Sequence, residues 1–150
     1  GTIKSHSYPL EIRKLFPEIE VTGEACPMWV PLVETNEYAG EGADYFVKRH
    51  IYNLLARDPE IDTIILGCTH YPILIDKIRK YTPDGITLIT QGAAVAASLK
   101  DYLQRHKEMD ALCTKGGVTT FCTTESDGKF GAQASLFLHY PVEVKNVVLV

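Results

Sequence analysis

In the run ILGCTHYPIL, a thiol, a hydroxyl and an imidazole follow one another as Cys68, Thr69 and His70, directly after an apolar segment of strand length. A cysteine between the end of a strand and the start of a helix, with a histidine two residues on, feels two influences that lower a thiol pKa. Such a thiol can act as an acid, a base or a nucleophile. The competing reading is bland: free cysteine is among the most buried residue types and packs as a small hydrophobe. On position in the sequence alone, that packing role is the commoner outcome.

The other chemical candidates are weaker. Cys26 lies in EACPMWVPLVE (24–34), where two prolines flank apolar residues and Glu34 closes the run, a pattern that predicts an extended loop at a sheet edge. Glu34 is either a solvated surface carboxylate or a partner that orients His70. No metal is expected, because Cys26, Cys68 and His70 match none of the usual zinc spacings. Cys113 and Cys122 have no acid, base or histidine at useful spacing and read as bystanders. QGAAVA (91–96) lacks the glycine pattern and lysine of a phosphate loop, which argues against nicotinamide and ATP chemistry.

Residues that do chemistry need elements to hold them, and 150 residues are enough for a domain with its own core. A composition of 45% hydrophobic and 23% charged residues, with a net charge of −4, is that of an ordinary globular protein. The mild acidity argues against nucleic acid or an anionic membrane as a main partner. No apolar run approaches the roughly 20 residues of a membrane span, so a cytoplasmic location is expected. Four widely spaced cysteines suggest free thiols rather than a disulfide framework.

Periodicity sketches the elements. Residues 8–16 and 41–58 carry apolar positions at helical spacing, the second through Ala43, Val47, Ile51, Leu54 and Leu55. Residues 18–23 alternate and predict a strand. Residues 62–67 form a near-continuous apolar run, expected to be a central parallel strand buried on both faces. Pro72 then opens a helix through residue 81, a strand follows at 85–90 and a helix at 93–106. Residues 107–117 are polar and end in two glycines, which predicts a linker. A strand at 118–124, a helix at 128–140 and a strand at 142–150 complete the chain. The alternation predicts an α/β fold, a three-layer domain on a parallel sheet.

LGCTHYP (66–72), EACPMWVPLVE (24–34) and GTIKSHSY (1–8) resemble, in order, three segments of the glutamate racemase family. LITQGAAVAASL (88–99) and FCTTESDGKF (121–130) are similar to two more. The resemblance implies an enzyme without cofactors that interconverts L- and D-glutamate and supplies D-glutamate for bacterial peptidoglycan. It implies a mechanism with two cysteines on opposite faces of the α-carbon, one removing a proton and the other returning one. Inversion needs proton exchange on both faces, and a thiol can serve in either form.

By motif position the resemblance implies that Cys68 is the second of these cysteines. Thr69 and His70 would contact substrate, with His70 also assisting the thiol. Thr2 would help hold a substrate carboxylate, and Glu34 would support His70. The family's first catalytic cysteine and its early Asp-Ser and Tyr-Gly segments have no counterpart here. Residues 1–106 would then be the second α/β domain of such an enzyme, 107–117 a linker, and 118–150 a strand–helix–strand segment that completes the other domain. This chain alone is expected to be inactive, and to form a homo-oligomer through its unpaired strands. The alternatives are an aspartate or related amino-acid racemase, and a non-catalytic binding module.

Overall fold

The computed structural model describes residues 1–126 and 128–149. The chain divides into two compact units, Gly1–Ala97 and a second from Ser98 onward. Each has helices around a two-stranded parallel sheet, so the expected α/β class with parallel strands is observed. Among the described residues, no helix is long and apolar enough to cross a membrane.

In the first unit, helix α1 (Ser7–Leu15) is followed by an irregular segment, then helices α2 (Trp29–Glu34) and α3 (Glu41–Arg57). Strand β1 (Thr63–Leu66) leads through a 3-10 turn (Tyr71–Leu74) into helix α4 (Ile75–Tyr81). Strand β2 (Thr87–Thr90) runs straight into helix α5 (Gln91–Arg105), which continues past the boundary between the units. The register of the sheet runs from Thr63 opposite Thr87 to Leu66 opposite Thr90.

The core is built on the stripe read from α3. Ala43, Val47 and Ile51 are buried there, against Trp29, Leu32 and Val33 of α2 and Ile78 of α4. Ile64 and Leu66 bury the inner face of β1, while Ile65 on the other face is 40% exposed. The expectation of a strand buried on both faces is therefore corrected: with a single strand partner, β1 alternates as a sheet covered on one side does.

Two further expectations fail for local reasons. Residues 18–23 form no strand, because no neighbouring strand offers them a ladder; side chains of the α3 end serve this segment instead. Arg57 Nη1 donates to the Gly23 carbonyl at 2.8 Å, and Thr22 Oγ1 donates to Asp58 Oδ2 at 3.1 Å. The expected loop before Glu34 contains helix α2. Pro31 falls in its first turn, where a missing N–H costs nothing, and burial of Trp29, Leu32 and Val33 holds the helix on α3.

In the second unit, residues expected as a linker include the short helix α6 (Lys107–Leu112), whose first turn carries Glu108 and Asp110, the favourable sign at a helix N-terminus. Strand β3 (Phe121–Thr123) pairs in parallel with β4 (Val144–Asn146), joined by helix α7 (Lys129–Leu138). The last strand is shorter than the apolar run suggested, and residue 150 lies outside the described residues. Val148 and Leu149 follow β4 with most of their surface exposed.

One polar cluster ties α3 to α4. Asp44 accepts hydrogen bonds from Lys77, from Lys80 at 2.8 Å and from the Tyr81 hydroxyl at 2.7 Å. These bonds, Lys77's foremost, hold its carboxyl well below the usual carboxylate range. A carboxyl with a depressed folded pKa stabilises the fold above its unfolded value of about 3.9, and that contribution fades as pH falls toward the folded value. Asp44→Asn should thus be less stable than wild type in urea at pH 7, with the gap narrower at pH 3. A gap that widened on acidification would refute the assignment.

Ile78 has no exposed surface. Its truncation to alanine should cost about 2–4 kcal/mol, through lost burial and the cavity left behind. Leu112, 80% exposed, should tolerate the same change within about 0.5 kcal/mol in the same denaturation assay.

Candidate functional site

β1 ends at Leu66, and the chain turns at Gly67–Cys68 before the 3-10 turn begins. This puts Cys68 at the carboxyl end of a parallel strand, the end where open α/β sheets gather their ligands. The turn is held by Tyr71 N–H donating to the Cys68 carbonyl at 3.3 Å and Ile73 N–H donating to the His70 carbonyl at 3.1 Å. The two side chains consequently face each other, with Cys68 Sγ 3.8 Å from His70 Nδ1.

The other imidazole nitrogen, Nε2, lies 3.4 Å from Glu34 Oε1. Glu34 is the last residue of α2, so the helix absent from the sequence reading is what carries this carboxylate to the ring. A carboxylate only accepts, which favours a proton on Nε2 and leaves the Nδ1 lone pair toward the thiol. Cys68, His70 and Glu34 thus form a line of thiol, imidazole and carboxylate. The His70 and Glu34 side chains are 30% and 52% exposed, so the line opens to solvent.

Thr69 is exposed between Cys68 and His70. Thr2 lies in an exposed N-terminal turn, where its carbonyl accepts from Ser5 Oγ at 3.0 Å.

Cys26 has a different environment. Burial, and then the charge of Glu24, push its thiol up to about 12, although the Tyr71 hydroxyl donates to it. Tyr71 is itself pushed above the ordinary phenol value, by burial first and then by the Cys26 and Cys68 thiols. Cys26 is a protonated packing residue at neutral pH. All four cysteines are free, Cys113 and Cys122 at exposed positions.

The sequence reading did not anticipate the polar pair beneath this site. His50 Nδ1 and Glu24 Oε1 lie 2.7 Å apart with side chains 9% and 8% exposed. Arg57 reaches the other oxygen of Glu24 at 2.8 Å. Trp29 packs edge-on against both His50 and Tyr71, with ring centroids 6.2 and 4.7 Å away. A signal was present: His50 stands three residues after Val47 on the apolar stripe of α3, and a polar residue there requires a buried partner. Tyr8 and Gln91, whose side chains bond to each other beside Gly67, were also overlooked.

No family model matches the chain. A glutamate racemase from Carnobacterium sp. (strain St2) is 37% identical over 139 residues, which are 92% of this chain and 51% of that protein. The crystal structure of a glutamate racemase isoform from Bacillus anthracis superposes with a TM-score of 0.83 at 30% identity, covering 99% of this chain and 54% of the other. A second, glutamate racemase from Francisella tularensis in complex with D-glutamate, gives 0.81 at 28% identity with coverage of 99% and 54%. The chain spans about half the length of the curated relatives it matches. With the sequence likeness and the superposition running through nearly all of its residues, the chain belongs to the glutamate racemase family.

Proposed function

We propose that Cys68 is one of two thiols in a racemase that interconverts L- and D-glutamate without a cofactor. The observation that carries this reading is the line of Cys68, His70 and Glu34 at the end of β1, in a chain whose relatives are glutamate racemases. The Nδ1 lone pair draws the thiol proton toward the ring, and the resulting thiolate takes the α-proton of one enantiomer. In the reverse direction the same thiol gives a proton back. Glu34 orients His70, Thr69 and His70 bind substrate, and Thr2 binds a substrate carboxylate. The product serves as D-glutamate for bacterial peptidoglycan, made in the cytoplasm.

Inversion needs a proton-transfer group on each face of the α-carbon, and this line of residues supplies one thiol. Cys26 is no substitute, because each thiol must serve as base in one direction, and burial and the charge of Glu24 keep Cys26 protonated. We therefore read residues 1–106 as the second domain of the enzyme, 107–117 as the connection, and 118–150 as part of the other domain. The 150-residue chain should bind glutamate at Thr69 and His70 and leave its α-proton in place. Amide shifts on titration with D-glutamate report the first, and proton NMR of either enantiomer in deuterated buffer the second. Shifts that avoid residues 68–71 would sink the binding site, and loss of the α-proton signal would sink the one-thiol reading. An aspartate racemase would show the same shifts with aspartate and none with glutamate.

A homo-oligomer formed through the second unit is part of the same proposal. Val118, Val148 and Leu149 are each more than 80% exposed beside a two-stranded sheet, and exposed apolar strand edges favour pairing between chains. Light scattering should give a mass above that of a monomer, and Leu149→Glu should return it to the monomer value. A monomeric wild type at all accessible concentrations would rule this out.

A further inference from the structure

The carboxyl ends of β1 and β2 hold two polar side chains that the proposed proton transfer does not use. Tyr8 of α1 lies flat on Gly67: a Cβ there would meet Cε2, Cζ and the hydroxyl oxygen of Tyr8, each at 3.4 Å. Gly67 immediately precedes Cys68, so this close approach sets the phenol beside the thiol-bearing turn. Gln91, which follows the last residue of β2, donates from Nε2 to the Tyr8 hydroxyl oxygen. The two residues are 83 positions apart, and their bond fixes α1 to the end of the sheet. Both side chains are half-buried.

The direction of that bond has a chemical result. A phenol has one hydrogen, and an oxygen that already accepts from an amide turns its own O–H elsewhere. Among the described residues no hydrogen bond takes that proton. Gly67, which Tyr8 covers, leads through Cys68 into Thr69 and His70, so that with Gln91 the residues offered from these two strand ends are a hydroxyl, an imidazole and an amide, none of them a lysine or arginine. Such a set suits a singly charged carboxylate better than a phosphate, for which cationic partners are the rule.

We propose that Tyr8, held by Gln91, is a ligand-binding residue whose hydroxyl donates to a carboxylate of the small molecule bound at Cys68. The identity of that molecule as glutamate rests on the reading above, whereas the donor assignment concerns any carboxylate placed beside the thiol.

Iodoacetate and iodoacetamide test this directly, since they alkylate the same sulfur with loss of iodide and differ in carrying a carboxylate or a neutral amide. Rates at each cysteine are read by mass spectrometry of its peptide, with exposed Cys113 as internal reference. Relative to Cys113, Cys68 should favour iodoacetate, and Tyr8→Phe should lower its iodoacetate-to-iodoacetamide ratio about three- to tenfold, the effect of one hydrogen bond. Gln91→Leu should lower it in the same direction by less, and provides the test should Tyr8→Phe fail to fold. A common change in both rates, or none, would overturn the proposal, because a merely structural role cannot tell the two reagents apart. A lowered ratio with no protection of Cys68 by D- or L-glutamate would support Tyr8 as the donor and refute glutamate as the ligand.

Discussion

A carboxylate removed from water has to be paired, and in the first unit that requirement falls on Glu24. Desolvating such a group costs several kcal/mol unless hydrogen bonds and an opposite charge replace the lost water. His50 and Arg57 supply them, both from α3, and the segment before α2 is thereby fixed at Gly23–Glu24 against that helix. Trp29 continues the contact by packing on His50 and on Tyr71. Through Trp29 the first turn of α2 meets the turn that bears the reactive residues, while its last residue is Glu34. The placement of a carboxylate beside His70 is thus inherited from the buried Glu24–His50 hydrogen bond, which is no part of the reactive line.

How much of this was legible depended on whether a feature was local. The stripe on α3 and the strand–turn–helix around Cys68 are set by neighbours within a few residues, and the observed α3 differs from the expected span by one residue at its end. The extended reading of residues 24–34 failed because the two prolines counted as breakers, although Pro31 lands in a first turn, where it is tolerated. The strand expected at 18–23 failed because alternation describes a side-chain pattern and cannot supply a partner. Polar pairs between distant residues, His50 with Glu24 and Tyr8 with Gln91, were invisible to a reading that weighed each segment by itself.

For the site, motif resemblance and geometry contribute different information. Resemblance singles out Cys68, Thr69, His70, Glu34 and Thr2. Geometry brings Cys68, His70 and Glu34 into one line, and sets Thr2 in an exposed turn whose described contacts are local. It also gives a physical reason for ranking Cys68 above Cys26, since both neighbour Tyr71 in very different surroundings.

That separation bears on redox chemistry. Disulfides form through a thiolate, and a thiol pushed up to about 12 is almost never ionised at neutral pH. Cys26 is therefore a poor resolving partner for an oxidised Cys68, however near the two lie to the same tyrosine. A sulfenic acid formed at Cys68 would depend on a thiol other than Cys26 for its reduction, and without one would be open to the irreversible steps beyond it.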